Sequence, residues 1–325
     1  MTHSRRLLTP ILSACCLLLA HAAALAQVGP ALWIVPFGEK EQFQAEAQVT
    51  FFFDGSSNGP GSPDATLLIA DGRGRVRFAQ ETEHPVHLGA DVFFLNIDSS
   101  DPALPNQLVN VQFAGATSIA SWDDWSIAVI IGFGSSSSEP FSDGRSWYAR
   151  GDLIATWKLD EKSFLQFMLN YHGNRTIFPD VPLPLISYTR QSSATLRYTI
   201  GVPVSAISWQ PGDHWLLELT YVIPFSIDFT ISYEVTEGVT LYASYKEVYE
   251  AFHLKGDQKD RRLFFEQSRI EAGVRWKPIS NLQVILAGGY AFGQEISRGF
   301  DARNTTTVRD LSDEPFLRAG VEFRY

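Results

Sequence analysis

The side chains most often used for catalysis or metal binding are few and scattered in this chain. Five histidines lie beyond residue 26, and only two of them, His84 and His87, are close in sequence, flanking Pro85. This pair has no third ligand and no obvious carboxylate partner, and no Ser–His pairing stands out, although a nucleophilic triad is defined by geometry. We therefore predict no metal site, no cofactor and no catalytic residues, and hence that the protein is not an enzyme.

Two other features that could bind an anion or a metal have simpler interpretations. Gly72-Arg73-Gly74 lacks the following helix and the Lys-Ser pair of a phosphate-binding loop, so we interpret it as a tight bend or as strand glycines. The two cysteines, Cys15 and Cys16, lie within the N-terminal leader described below. The formal net charge of -10 argues against nucleic acid as a partner.

A larger set of ionisable residues could shape an electric field inside a closed sheet. These residues recur at alternate positions of otherwise apolar segments, and such positions share one face of a strand. Facing inward, they could form a constriction with a transverse field, or they could pair with each other and fill the interior. The candidate inward charges are Arg150, Asp152, Glu218, Asp228, Glu234, Arg269, Glu271, Arg275, Arg318 and Glu322.

The segments that carry these charges have a period of two. Apolar residues alternate with polar residues between Phe43 and Phe53, with Phe52 as an exception, and again between Ile227 and Val235. About fourteen such segments follow each other in residues 43–325. Most exceed the roughly 9 to 11 residues that cross a bilayer at a tilt. The sequence predicts an all-β, closed antiparallel transmembrane barrel of about 14 strands, with 12 to 16 possible.

Short connections alternate with long ones, as expected for tight periplasmic turns and external loops. The break at Val222-Ile223-Pro224 is too tight for an external loop. An alternative is that 214–235 is one strand and that Pro203 marks a turn instead. The predicted short connections are 122–123, 160–162, 236–238 and 278–280, and the long ones are 55–65, 135–145, 173–186, 253–261 and 294–313.

The N-terminus has the features of a secretory signal. Arg5 and Arg6 precede an apolar run from Leu7 to Leu19, and Ala24-Leu25-Ala26 offers a cleavage site. We predict a signal peptide over residues 1–26, followed by a short periplasmic segment, 27–42, and the barrel over 43–325. A lipoprotein with a lipidated Cys15 is the alternative.

The last strand ends in a recognisable pattern, formed by Arg318, Gly320, Phe323 and Tyr325. It resembles the sorting signal of Gram-negative outer-membrane proteins, which consists of a polar residue, a glycine and two aromatic residues. This resemblance implies that the chain lies in the bacterial outer membrane, in contact with its lipid. It also implies that the barrel-assembly machinery recognises this strand as a partner during biogenesis.

Most of residues 40–325 also resembles an uncharacterised bacterial family of outer-membrane β-barrels, a domain of unknown function. The features that carry this resemblance are Phe178-Pro179, Gly201-Val202-Pro203 and Val222-Ile223-Pro224. The family implies a barrel fold and brings no catalytic residues. The sequence gives no indication of the oligomeric state.

Three classes of function fit a barrel with these inward charges. The first is a narrow passive channel for small hydrophilic solutes, in which Arg269, Arg275 and Arg318 face acids on other strands. The second is a non-conducting structural or surface-interaction barrel with a charge-paired lumen. The third, less favoured class is an outer-membrane enzyme or lipid transporter.

Overall fold

A computed structural model describes residues 30–35, 37, 41–53, 65–78, 84–222, 226–258 and 261–325. The predicted signal peptide, part of the predicted periplasmic segment and Ile223-Pro224 lie outside these residues. A short helix, α1 (Pro30–Ile34), precedes the first strand. No helix in the described part of the chain is long and apolar enough to cross a membrane.

Seventeen strands make up most of the described chain, and each pairs with its neighbours in antiparallel fashion. The strands are β1 (Phe43–Phe52), β2 (Ala65–Phe78), β3 (Val86–Ser99), β4 (Gln107–Trp122), β5 (Trp125–Ser137), β6 (Trp147–Asp160), β7 (Ser163–His172), β8 (Leu183–Ser193), β9 (Leu196–Val202), β10 (Val204–Gly212), β11 (Trp215–Val222), β12 (Ser226–Thr236), β13 (Val239–Phe252), β14 (Arg262–Ile279), β15 (Leu282–Gly299), β16 (Thr305–Asp310) and β17 (Glu314–Arg324).

Sixteen of these strands close into a barrel. Strand β1 pairs with β2 on one side and with β17 on the other, so that Ala47 lies opposite both Gly72 and Val321. The remaining strand, β16, pairs with the last residues of β15 and lies outside the closed ring of sixteen strands. Closure leaves no free sheet edge, which a membrane requires. The predicted all-β closed barrel is confirmed, and the 16 strands are the upper end of the predicted range.

The two strands beyond fourteen come from residues 187–209, where the alternation in the sequence continues as one segment. It contains the end of β8, the whole of β9 and most of β10. The backbone N–H of Thr195 donates to the Ser193 hydroxyl at 3.2 Å, which forms a compact turn between β8 and β9. The sequence offered Pro203 and Pro224 as alternative breaks between strands. Both breaks occur, because Pro203 separates β9 from β10 and β11 ends at Val222. A turn made of serine and threonine continues the polar alternation and is therefore hard to detect.

The two faces of the sheet differ as the alternation predicts. On β12 Phe229 is exposed, whereas Thr230 and Ser232 are buried; on β5 Ile131 is 70% exposed, whereas Ile130 is fully buried. The exposed rings of Trp122, Trp147 and Trp215 lie at the ends of their strands, as in membrane barrels. A closed barrel with an apolar exterior buries that exterior in lipid. The chain therefore has the architecture of a transmembrane β-barrel, as the sequence predicts.

The barrel has two walls of different height. We call β8–β12 the short wall, because its strands have 7 to 11 residues. The remaining strands form the long wall, in which β2–β6 and β13–β15 have 13 to 18 residues. The two-residue turns and the C-terminus share one end of the barrel, which is the periplasmic end by the usual rule.

Candidate functional site: the lumen

The described part of the N-terminal segment, residues 30–35 and 37, lies inside the barrel, against the long wall. Leu32 of α1 is fully buried against Ala114 and Ala116 of β4, Ile130 of β5 and Ile154 of β6. These four residues alternate with exposed apolar residues on the same strands, so they belong to the inner face. The segment therefore fills part of the lumen rather than extending away from the barrel.

Polar contacts from β2 and β3 fix this segment. Arg75 donates to the Val35 carbonyl at 2.6 Å, and the Nδ1 atom of His87 lies 3.0 Å from the Leu32 carbonyl. The guanidinium of Arg75 lies 4.2 Å from the centre of the Phe37 ring. His84, by contrast, contacts the Ser118 hydroxyl. The two histidines therefore bond to different partners.

The external half of the long wall is closed by an apolar cluster. Side chains from β1–β4 meet side chains from β13–β15 and β17 across the lumen, and the Phe93 and Phe252 ring centres are 6.1 Å apart. Such contacts exclude water because they leave no polar group to hydrate. The cluster consists of Phe52, Leu67, Ile69, Leu95, Ile97, Leu104, Leu108, Phe252, Leu263, Phe265, Ala291, Ile296, Leu311 and Phe316.

The external end of β13 also bonds directly across the lumen to β4 and β5. The backbone N–H of His253 donates to the Ser136 carbonyl at 2.9 Å, and the Ser136 hydroxyl donates to the Ala251 carbonyl at 2.7 Å. On the neighbouring strand β4, the side-chain amide of Asn110 donates to the Glu250 carboxylate at 3.1 Å. These bonds hold opposite sides of the long wall together.

Ion pairs join the external loops above this closure. Arg309 of β16 pairs with Asp101 of the β3–β4 loop, and Lys255 pairs with Glu139 at 2.7 Å. The pKa of Asp101 is lowered from its ordinary value because the Ala103 N–H and the Arg309 guanidinium both bond to the carboxylate. The ionised form of Asp101 is therefore the form that holds the loop.

Two of the candidate inward charges, Arg318 and Glu271, pair with each other. The Arg318 guanidinium also donates to the Tyr242 hydroxyl at 2.6 Å and bonds to Gln48. The Tyr242 and Ser244 hydroxyls donate to Glu271 at 3.1 and 3.2 Å. This network satisfies both charges within β1, β13, β14 and β17.

Arg150, Asp152 and Arg269 are buried with neutral hydrogen-bond partners, and among the described residues the Arg150 Nε, Asp152 Oδ2 and Arg269 Nη2 atoms have no partner. Arg150 donates to Gln112 at 2.8 Å, and Asn170 donates to Asp152. Arg269 bonds to Gln267. The guanidinium of Arg269 lies 5.4 and 5.8 Å from the ring centres of Phe52 and Phe316.

The other candidate charges lie lower in the barrel or on the short wall. Glu322 pairs with Arg324 of the same strand, and Glu234 is exposed. Asp228 lies opposite Lys246 in the β12–β13 register. Arg275 lies 3.4 Å from the Ser232 hydroxyl and 4.3 Å from the Tyr242 ring centre. The structure thus pairs several charges locally, between near strands.

The inner face of the short wall carries a row of polar residues in register. Arg197 lies opposite Ser208, Ser208 lies opposite Glu218, and Glu218 lies opposite Thr230. Arg197, Ser208 and Glu218 are half-buried. Among the described residues, neither the Glu218 Oε1 atom nor the Ser208 Oγ atom has a hydrogen-bond partner. Sequence reasoning selected Glu218 from this row and missed Arg197 and Ser208.

Side-chain bonds of the short wall remain local, unlike those of the long wall. Thr189 and Thr199 share a hydrogen bond of 2.8 Å between β8 and β9. Ser205 donates to the Gly201 carbonyl at 3.2 Å. In the part of the chain that the structure describes, side-chain hydrogen bonds from β8–β12 reach no further than the second strand away. No described side chain bridges this wall to the opposite side of the lumen.

Comparison with known proteins gives structural matches only. No family model matches the chain, and no curated protein matches it. An outer membrane channel of the COG4313 group from Pseudomonas putida F1 is 10% identical, with a TM-score of 0.39, over 89% of this chain and 96% of that chain. A FadL homologue from Pseudomonas aeruginosa is 12% identical, with a TM-score of 0.41, over 90% and 94%. The toluene transporter TodX from Pseudomonas putida is 12% identical, with a TM-score of 0.36, over 93% and 93%. At these values we transfer no function.

Proposed function

We propose that the protein is a passive outer-membrane channel for small hydrophilic solutes, without catalytic activity, and that solutes move along the inner face of the short wall. The observation that carries this proposal is the half-buried polar row on that face, which no described side chain bridges to the opposite side of the lumen. Barrels of about 16 strands are wide enough to leave an aqueous channel. Side chains can therefore fill part of the lumen while a water-filled path for solutes remains along the rest of it.

Both obstructions in the lumen support this position for the path, because both lie on the long wall. Helix α1 packs against β4–β6, near the periplasmic end. The apolar cluster and the bonds from β13 join β1–β5 to β13–β17, near the external end. The described contacts of these obstructions leave the inner face of the short wall uncovered.

The rim of the barrel is also lowest above the short wall. Pro203 alone connects β9 to β10, and three residues connect β11 to β12. On the long wall, by contrast, 253–261 and 300–304 form longer connections, and ion pairs join the loops. A solute approaching from outside therefore meets the lowest barrier above β9–β12.

A non-conducting barrel is the second candidate, and the satisfied network around Arg318 and Glu271 favours it. Removing one partner of such a pair leaves a buried charge and mainly lowers stability. Removing a charge that faces water instead changes ion selectivity. The two candidates therefore predict different effects for arginines in the two environments.

Planar-bilayer recordings of the refolded full chain separate these candidates. We expect conductance steps from the unmodified protein, and Arg275→Gln should shift the reversal potential toward cations. Arg318→Gln is the matched control, for which we expect a lower melting temperature. Well-folded protein without conductance steps would exclude the channel and favour the non-conducting barrel.

A further inference from the structure

The row Arg197–Ser208–Glu218 contains two opposite charges that are not paired with each other. Arg197 and Glu218 are two strands apart, with Ser208 between them. In the described part of the chain, Arg197 makes no ion pair and no side-chain hydrogen bond, and Glu218 makes no ion pair. Arg275 and Asp228 are the charged groups that act on Glu218 electrostatically. Arg197 is not among these groups.

Unsatisfied groups of this kind are costly unless something binds them. A shielded carboxylate oxygen without a donor loses part of the hydration that it had in water, and a ligand that supplies a donor restores the lost hydrogen bond. Two adjacent orphans, Glu218 Oε1 and Ser208 Oγ, lie on the inner face of the proposed path. An ammonium group supplies the donors that both oxygens lack.

The row places a cation and an anion two strands apart, so a ligand that bridges them carries both charges. Neighbouring strands are about 4.8 Å apart, so Arg197 and Glu218 are separated by roughly 9.6 Å at the backbone. The ammonium and the carboxylate of an α-amino acid are about 3 Å apart. Two hydrogen bonds of about 2.8 Å extend this span to roughly 8–9 Å between the bonding atoms of the protein, a distance that long side chains two strands apart can bridge.

We propose that Arg197, Ser208 and Glu218 form a binding site for small zwitterionic solutes of the α-amino acid type. Glu218 and Ser208 accept hydrogen bonds from the ammonium, and Arg197 donates to the carboxylate. This inference rests on the proposed path along the short wall and names the class of solute that the path favours.

Liposome swelling with the refolded full chain tests the site, with glycine as the zwitterion and glycolamide as a neutral solute of similar size. We expect glycine to enter faster than glycolamide, and Arg197→Gln and Glu218→Gln each to reduce this preference about tenfold, the scale of one charge-assisted hydrogen bond. Arg190→Gln and Glu237→Gln, both exposed at the periplasmic end, are the matched controls and should keep the preference.

The outcomes separate this inference from the proposed channel. Equal entry of both solutes into liposomes, unaffected by the substitutions, would overturn the zwitterion site and leave the channel standing. Entry of neither solute would overturn the channel, and calorimetry with glycine in detergent would then decide the site. Glycine binding that Glu218→Gln abolishes would support it, and no binding would overturn it.

Discussion

The two walls of the barrel use the same alternation of apolar and polar residues for different purposes. On the long wall the inner face carries apolar residues externally and the Arg318–Glu271 pair below them, and it is packed against α1 or against the opposite strands. On the short wall the inner face carries hydroxyls and unpaired charges that contact only near strands. An inward side chain therefore contributes to stability or to the path according to what lies across the lumen from it.

The largest expected effect comes from breaking a satisfied pair of the long wall. Arg318→Met should leave the Glu271 carboxylate buried with its hydroxyl donors alone, and should lower the free energy of unfolding by about 3–5 kcal/mol. Urea unfolding in lipid vesicles measures this change. The short-wall counterpart is Glu218→Gln, which we expect to alter stability far less. Equal losses for both variants would contradict the difference between the walls.

Charge insertion tests the two faces of the short wall itself. Phe229→Arg should cost about 2–4 kcal/mol, because the side chain would meet lipid near the midplane. Its matched control, Thr230→Arg, projects into the lumen and should cost much less. The same unfolding assay applies, and similar costs at both positions would mean that the inner and outer faces are assigned incorrectly.

Replacing Phe323 and Tyr325 together by serine tests the C-terminal strand, where the long wall closes on β1. We propose that the barrel-assembly machinery recognises this strand, and the backbone of Tyr325 bonds to Phe43 at 2.8 Å in the finished barrel. We expect severalfold less assembled protein in the outer membrane by heat-modifiable gel mobility. An unchanged level would show that the C-terminal pattern has no role in sorting.

A smaller effect is expected from acidification of the external loops. Because the pKa of Asp101 is lowered from 3.8 in the folded state, its ionised form stabilises the loop contact above that pH. This contribution is lost as the pH falls through the lowered pKa. Proteolysis or hydrogen exchange of residues 100–106 should therefore increase in acid, and Asp101→Asn should show the increase already at neutral pH. Acid-induced exposure identical in Asp101→Asn would contradict this assignment.

The sequence predicted the class of fold well because the barrel imposes a strict period of two on every strand. It did not predict the turn at Ser193–Thr195, where hydroxyl residues continue the polar alternation. It also predicted a short periplasmic segment over 27–42 but not that the described part of this segment packs against the inner face of β4–β6. Nothing in the local pattern of Leu32 or Phe37 indicates a partner in β2–β6.

The candidate lumen charges were likewise predictable in position but not in their contacts. Their positions on polar faces followed from the alternation, since this depends on neighbours in sequence. Their partners did not, because pairing depends on strand number, register and what crosses the lumen. Arg318 meets Glu271 two strands away around the barrel, and Glu218 meets no opposite charge at bonding distance among the described residues. These relations could be found only from the closed sheet.

The measurement that tests the path along the short wall most directly is cysteine block of single channels. Both natural cysteines, Cys15 and Cys16, lie in the predicted signal peptide, so an introduced cysteine would be the only thiol of the mature chain. Ser208→Cys lies on the inner face of the short wall, and Ser136→Cys, its matched control, lies in the packed part of the long wall. We predict that a hydrophilic methanethiosulfonate reagent reduces the conductance of Ser208→Cys channels stepwise and leaves Ser136→Cys channels unchanged. Block of Ser136→Cys without block of Ser208→Cys would contradict the account.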